Sequence, residues 1–457
     1  MAPRIVFIGG GSYQWTPKLV LDIADTPSLA DAEIVIEDID PAPIPAMVDF
    51  VHHVARVRDI SISATGTTDQ RAALEGADFV VVCISTGALD SMHHDIAIPE
   101  RFALRQTVGD TVGPGGIMRG LRNIPVMVDI ARDMEQCCPN AWLLNLTNPM
   151  TTLTRSVLAA SNVNAIGLCH EVTITQYSLS MILGCDMRAM DLEVAGVNHL
   201  PFITRLTIDG DDGLARLRSV LDDRDALDAP LVVPGITGHE AVSAGGEFTV
   251  GSLLDSNRVK VELFRRFRVL PAAGDRHLVE FFSSFLTEAS GWGSRWGVEL
   301  TSMDDRRAWL AHYQREFERL RAADEIPRSP SGEMVHTIID AMVRDRPRHL
   351  PLNIANHGQV PDLPAGVVVE SMVTVDGSGV RGRDVTSLPR VLAEQVRRIS
   401  AEQELVVEAA MSGDRSTVLD AMSLDPLASR LDYDDLARMT DEMLSATARW
   451  LPQFGTA

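Results

Sequence analysis

A continuous apolar strand that runs straight into a glycine turn restricts this chain more than any other feature. Arg4-Ile5-Val6-Phe7-Ile8 has no polar alternation, so a strand built from it must be covered on both faces, as in a parallel sheet. Gly9-Gly10-Gly11-Ser12 follows at once, and Thr16 to Asp25 has helical spacing. Such a turn lets the backbone N–H groups of Gly9, Gly11 and Ser12 approach a pyrophosphate at the positive end of the helix dipole. Ile34-Val35-Ile36 reads as a second strand ending in Glu37-Asp38-Ile39-Asp40, where Asp38 is of the type that holds two ribose hydroxyls. The unit points to a dinucleotide, with a purely structural turn as the alternative. Its acidic strand end favours NAD over NADP, because it would repel a 2′-phosphate.

The alternation continues. Ala46–Val57 reads as a helix, Phe79–Ile84 as a strand, Ile124–Met134 as a helix and Ala141–Leu146 as a strand ending at Thr147-Asn148-Pro149. Val163–Leu168 is a further strand, and it delivers Cys169-His170-Glu171 at its carboxyl end, where open α/β sheets place their ligands. From about Asp191 the pattern shifts to mixed strands (Leu192–Val197, Ile203–Ile208) and longer helices (Arg258–Arg268, Arg306–Arg321). The fold class expected is α/β: a Rossmann-type doubly wound parallel sheet followed by an α+β second domain. Residues 1–190 are assigned to the NAD-binding domain, and residues 191–457 to a domain for substrate, metal and oligomerisation. Asp209–Gly246, rich in Asp, Gly and Pro, is read as a lid, an insertion or an oligomer contact.

Composition narrows the partners. At 457 residues the chain is long enough for two lobes, and 45% hydrophobic with 23% charged residues is ordinary for a globular protein. Forty-one basic against 63 acidic side chains give a net charge of −22, so nucleic acid would meet repulsion, and no local basic patch offsets it. Apolar runs such as Phe79–Ser85 are strand-sized, so no membrane span is expected. Met1-Ala2-Pro3-Arg4 leads directly into the first strand without a signal-peptide pattern, which sets the expectation of a cytoplasmic protein. Five cysteines, an odd number at irregular spacing, suit reduced thiols.

Three groups of residues carry chemistry. Cys169 leaves a strand at the carboxyl edge and Asn198-His199 follows another, so the thiol and the imidazole are expected to face one cleft. Taken singly, each reads as a packed residue. As a pair they would leave most positions of a divalent ion open to water and substrate, which suits Mn²⁺ or a related ion. Asp110-Thr111-Val112-Gly113-Pro114-Gly115-Gly116-Ile117-Met118-Arg119 is loop-like. Arg119 is expected to grip a carboxylate or hydroxyls, the alternative being a surface turn before a helix. Asp275-Arg276-His277 with Glu280 is dense in proton-transfer groups, or else a solvated charged turn.

Over nearly its whole length the sequence resembles glycoside hydrolase family 4, the NAD- and metal-dependent glycosidases. The resemblance is carried by the Gly9–Ser12 turn, Asp38-Ile39-Asp40, Asp110–Arg119, Asn148-Pro149, Cys169-His170-Glu171-Val172 and Gly196-Val197-Asn198-His199. Further along it rests on Phe281-Phe282, Gly291-Trp292-Gly293 and Leu352-Asn353-Ile354-Ala355-Asn356. It implies a fold like that of lactate and malate dehydrogenases and a homodimer or homotetramer. It also implies a reaction with no net redox change. NAD⁺ takes hydride from C3 of the sugar, a base removes the acidified C2 proton, elimination expels the aglycone from C1, water adds, and the hydride returns. Cys169 and His199 match the metal ligands, Asn148 and Asn198 match sugar-contacting positions, and His170 matches the position that helps the leaving group.

One departure stands out. Many members of the family present a tyrosine as the C2 base where this chain has Val261, so Asp275, Lys260 and His277 are the substitutes at hand. Phosphosugar-cleaving members usually carry other residues after the cysteine, so Cys-His-Glu-Val implies a small unphosphorylated glycoside or short oligosaccharide. The Arg276-His277 pair resembles the uronide-cleaving branch, in which Arg119 or Arg276 would hold the sugar carboxylate. The expected activity is therefore that of an α-galacturonidase, with α-galactosidase or α-glucosidase action of the same family as the alternative. A plain NAD-dependent dehydrogenase and a non-catalytic NAD sensor are the readings from other classes.

Overall fold

The structure, a computed structural model, describes residues 2–229, 231 and 249–455. The opening strand β1 (Arg4–Ile8) lies between β2 (Glu33–Glu37) and β4 (Phe79–Val82), parallel to both. Outside β2 comes β3 (Ser63–Thr67), and beyond β4 come β5 (Trp142–Asn145) and β6 (Asn164–Gly167). The parallel order is thus β3-β2-β1-β4-β5-β6, the arrangement of the doubly wound dinucleotide fold. The missing polar alternation in β1 has its cause here. Ile5 and Phe7 pack with Leu19, Val20 and Ile23 of the helix Thr16–Ala24 and with Phe50 and Val54 of the helix Ile44–Arg58. On the other face Val6 and Ile8 pack with Met118, Leu121 and Ile124 of the helix Gly113–Cys137.

The sheet does not stop at β6. Strands β7 (Met190–Val197) and β8 (Leu200–Ile208), the two-residue β9 (Asp211–Asp212) and β10 (Leu270–Pro271), β11 (Arg348–Ala355), β12 (Val368–Asp376) and β13 (Gly379–Gly382) extend it. Antiparallel pairing continues from β6 in the order β11, β12, β7, β8, β10, with β13 beside β12 and β9 beside β8. One mixed sheet therefore carries both the parallel half and the later strands, with β11 and β12 inserted between segments much earlier in the chain.

Several expectations need correction. The helix expected over Ile124–Met134 starts at Gly113 and runs to Cys137, so most of the stretch read as a loop, Arg119 included, is helical. Its glycines are there for close approach: a Cβ on Gly116 would lie 2.5 Å from the carbonyl carbon of Thr111. Within Asp209–Gly246, Gly213–Asp222 is a helix capped by the Asp212 carboxylate, and Arg224–Asp228 a second, short one. Residues 230 and 232–246 of that segment lie outside the described residues. Asp275 to Phe281 is a short helix and not a solvated turn, with Asp275 and Glu280 buried. Among the described residues no helix is long and apolar enough to cross a membrane.

Candidate active site

The chemistry-bearing residues gather at the carboxyl edge of the parallel strands. Gly9–Ser12 follows β1, Asp38 follows β2, Asn148 follows β5, and Cys169-His170 follows β6. The β7–β8 hairpin brings Asn198 and His199 to the same edge. The helix Asp275–Phe281 adds Arg276 and His277, and the segment before the Gly113 helix adds Asp110 and Thr111. His199 holds the left-handed φ of 62° at the hairpin tip, a strained conformation for a non-glycine residue of the kind that concentrates at functional sites.

Asp110, His199 and His277 each offer one ligand atom, and these atoms lie within 4.8 Å of one another. The His199 and His277 rings stack, with centroids 3.7 Å apart. The Thr111 hydroxyl fixes the protonation pattern. It donates to Asp110 Oδ1 at 2.8 Å, so toward His199 Nδ1 at 2.9 Å it must accept, which puts the imidazole proton on Nδ1 and leaves a lone pair on Nε2. Burial and the neighbouring His277 hold His199 down to about 3, so the ring is neutral at physiological pH. Burial works to raise Asp110, but His277, His199 and Arg119 outweigh it and hold the carboxylate down to about 2. A carboxylate, a neutral imidazole and a second imidazole whose buried Nδ1 has no hydrogen-bond partner form a donor set suited to a divalent ion of the Mn²⁺ type.

Cys169 is not one of these three donors. Its thiol is buried beside Asn198 and is pushed well above its ordinary range by burial, with Glu370 and Glu171 adding to the rise. Asn198 sits between the hairpin and β12, its amide nitrogen donating to Glu370 Oε2 at 3.2 Å and its backbone N–H to Thr151 Oγ1 at 3.0 Å. The side-chain oxygens of Asn198 and Asn148 are both buried without a partner among the described residues, and Asn148 Nδ2 donates to Asp110 Oδ2 at 3.3 Å. Arg119 Nε donates to the Asn148 carbonyl at 2.9 Å. His170 lies 3.0 Å through Nδ1 from Glu333 Oε1. Glu171 accepts from the Gly274 amide at 2.5 Å; burial would raise it, yet His277, His199, His170 and Lys260 together keep it low.

Two of the three residues expected as bases, Asp275 and Lys260, differ in freedom. Asp275 accepts from the amides of Val259 at 2.8 Å and Lys260 at 2.9 Å, so both oxygens are committed to the start of the helix Arg258–Phe267. Lys260 is buried with Nζ 3.2 Å from Thr175 Oγ1, and burial lowers its pKa. Val261 packs against the apolar cluster of the neighbouring helices.

Arg276 and Arg119 are joined by an arginine the sequence reading missed, Arg306. Its Nη2 donates to the Val108 carbonyl at 2.5 Å. Thr107 Oγ1 donates to the Arg276 carbonyl, so both arginines attend the segment that leads to Asp110. The Nε atoms of Arg276 and Arg306 are buried without partners, and none of the three arginines forms an ion pair among the described residues. Glu171, Glu333, Glu370 and Arg306 were not singled out because nothing local in the sequence connects them to this edge. Only the Cys-His-Glu run pointed at Glu171.

At the dinucleotide turn a Cβ on Gly9 would lie 2.2 Å from the Cys83 carbonyl oxygen, and one on Gly11 2.7 Å from Asp38 Oδ2. The turn is thus pressed against β4 and the end of β2, as a phosphate cradle requires. The expectation that Gly11 and Ser12 present their amides outward is not met in detail. Gly11 donates to Asp38 Oδ2 at 2.9 Å and Ser12 to the Gly9 carbonyl at 3.3 Å, while the amides of Tyr13 and Gln14 have no partner among the described residues.

Known proteins resemble the chain over nearly its whole length. The description "Family 4 glycosyl hydrolase" matches residues 4–185, and "Family 4 glycosyl hydrolase C-terminal domain" matches residues 194–428. The α-galacturonidase of Thermoanaerobacterium saccharolyticum is 31% identical, over 98% of this chain and 96% of its own. An α-galactosidase of Bacillus subtilis is 30% identical, over 99% of each chain. The crystal structure of the Bacillus subtilis protein lplD superposes with a TM-score of 0.85 at 29% identity, covering 97% of this chain and 100% of that one. A Thermotoga maritima 6-phospho-β-glucosidase, solved with manganese, NAD⁺ and glucose-6-phosphate, shares the fold with a TM-score of 0.77 at 22% identity over 98% and 99%.

Proposed function

The chain belongs to family 4 of the glycosyl hydrolases, and from that premise we propose that it cleaves unphosphorylated α-galacturonides or related α-uronides with the help of NAD and a divalent cation such as Mn²⁺. The observation that supports the uronide reading is the set of Arg119, Arg276 and Arg306, three guanidinium groups that form no ion pair among the described residues and that Asp110 and Glu280 offset only at longer range, beside the Asp110, His199 and His277 donors. Cations converging in a partly buried site are stable only if something negative completes them, and a sugar carboxylate does so. Neutral α-galactosides are the second reading, favoured by an α-galactosidase relative at nearly the same identity.

In this reading the turn Gly9–Ser12 receives the pyrophosphate through the close approach its glycines allow, Asp38 holds the ribose, and Asp110, His199 and His277 hold the cation, with Cys169 on the same sheet edge at the end of β6. When bound, NAD supplies reversible hydride acceptance and the cation supplies electrophilic polarisation of oxygen. The chain's own residues do the rest. Asn148 and Asn198 offer their unpartnered amide oxygens to sugar hydroxyls. Arg119, Arg276 and Arg306 grip the carboxylate and set the ring's register, and His277 flanks it. His170 gives a proton to the departing oxygen. Lys260, its amine brought toward neutrality by burial, takes the C2 proton, while Asp275 braces the helix that carries it. Residues 1–190 thus serve the cofactor, later segments complete the sugar site, and the chain works as a homodimer or homotetramer.

The test is a panel of aryl and oligomeric galacturonides, glucuronides, galactosides and glucosides with the purified chain, NAD⁺, Mn²⁺ and reductant. Galacturonides are expected to be cleaved fastest, without accumulation of NADH, and chelator is expected to stop the reaction. Stoichiometric NADH with a carbonyl product would make the protein a dehydrogenase, and a preference for galactosides would move it to the second reading.

A further inference from the structure

His170 stands just ahead of the helix Glu171–Leu183, and its side chain makes no capping bond to that helix. It is held instead by a residue 163 positions away in the chain: its Nδ1 lies 3.0 Å from Glu333 Oε1. A carboxylate can only accept, so the Nδ1 position carries the proton in that bond and Nε2 is turned the other way. The Glu333 side chain is only 4% exposed, whereas that of His170 is 35% exposed, so the imidazole reaches outward from a buried anchor.

The anchor is itself fixed from two sides. Lys18 Nζ lies 3.6 Å from the same Glu333 oxygen and 3.8 Å from the centroid of the Trp15 ring, both on the stretch that follows the dinucleotide turn. The Glu333 amide donates to Ser331 Oγ at 3.0 Å, and Ser331 is bound by amide (3.0 Å) and hydroxyl to the carboxylate of Asp22 on the helix Thr16–Ala24. The first helix of the nucleotide fold, the segment ahead of the helix Val335–Arg344 and the carboxyl end of β6 thus meet at one carboxylate. A surface ion pair would not be built this way: long exposed side chains held by nothing else contribute little and adopt many geometries.

We infer that Glu333 is a positioning residue for the glycosidase reaction, holding His170 by Nδ1 so that Nε2 faces the departing oxygen of the substrate. This rests on the reading above that His170 assists the leaving group. A carboxylate that orients an imidazole without touching substrate can matter as much as the imidazole itself: it accepts from Nδ1–H of the doubly protonated ring, so the proton on Nε2 is the one passed to the departing oxygen and a neutral Nδ1–H imidazole remains. Lys18 supplies the counter-charge that keeps Glu333 ionised when His170 has given its proton away.

The experiment uses the full chain with Glu333→Ala, Glu333→Gln and His170→Gln, and galacturonides with leaving groups from nitrophenol to a second sugar. Glu333→Ala is expected to lower kcat by roughly 10- to 100-fold on the sugar leaving group and by less than about threefold on nitrophenol, which departs without a proton. Glu333→Gln, whose amide oxygen still accepts from Nδ1–H, is expected to recover most of that loss. The second measurement needs no turnover. ¹⁵N NMR of histidine-labelled protein at a pH where the ring is neutral, with His170→Gln to assign the signal, should show the remaining His170 proton on Nδ1 in the parent and in Glu333→Gln, and mainly on Nε2 in Glu333→Ala. A steep leaving-group dependence for His170→Gln with a flat one for Glu333→Ala, or a tautomer that Glu333→Ala leaves unchanged, overturns the inference alone. A flat dependence for His170→Gln overturns the reading of His170 and the inference with it.

Discussion

Two arginines three residues apart on the same helix have opposite surroundings. Arg122 is buried with no exposed side-chain surface and meets the equally buried Asp95 through two bonds, at 2.9 and 2.5 Å. Arg119 points to the sheet edge, donates only to a backbone carbonyl, and shares its neighbourhood with Arg306 and Asp110. The first is ion-paired within the chain, with only its Nε left without a hydrogen-bond partner among the described residues. The second is offset by Asp110 without forming an ion pair among the described residues, and in the proposed reading a sugar carboxylate completes it; that contrast separates framework from candidate site.

The comparison can be broken at its strong end first. Arg122→Ala leaves Asp95 buried and unpaired and should cost about 3–5 kcal/mol in denaturant unfolding, whereas replacing both residues with apolar ones of similar volume should restore most of it. Glu370 provides the intermediate case, a fully buried carboxyl that forms no ion pair among the described residues. Burial first, then the charge of Glu171, raises it from 4.5 to about 8. Its stabilising neutral form is fully present below about 4.5, and that contribution declines as pH rises toward 8. Glu370→Gln should therefore unfold like the parent at pH 5 and be more stable at pH 9, by an amount on the order of a few kcal/mol, read from melting temperature against pH. The weak end is Arg306. Arg306→Ala should cost about 1 kcal/mol of stability through the lost bond to the Val108 carbonyl. It should cost about 1.5–3 kcal/mol in kcat/KM on a galacturonide and much less on a galactoside. Arg306→Lys should recover only part of that, since the guanidinium fork is lost. Equal losses on both sugars would show that Arg306 merely tethers the Val108 segment.

How much of this was legible in the chain depends on range. The strand Arg4–Ile8 has a pattern dictated by burial on two faces, and the structure places it mid-sheet as that pattern implies, while the amides of the turn that follows it are committed in a way no pattern announces. The helix from Gly113 was hidden because Gly-Pro-Gly-Gly has the composition of a loop. It is helical because tertiary packing admits no side chain there, and that packing overrides propensity. His199 and Cys169 were legible by position at strand ends. Asp110 was noticed only as an acid in a turn, since the Thr111 bridge that makes it a donor beside His199 spans 88 residues. Arg306 and Glu333 lie on or beside helices whose own periodicity says nothing about what their ends approach.

The placement of β11 and β12 has a consequence for how the protein is born. These strands sit mid-sheet, between β6 and β7, yet they come from residues 348–376. While the chain is being synthesised, β6 therefore waits with a naked flank until three quarters of the polypeptide has emerged, and a bare strand flank is a template for pairing with the wrong neighbour. Ribosome-stalled fragments ending before residue 348 should accordingly need chaperones to stay dispersed, and those extending past residue 382 should not.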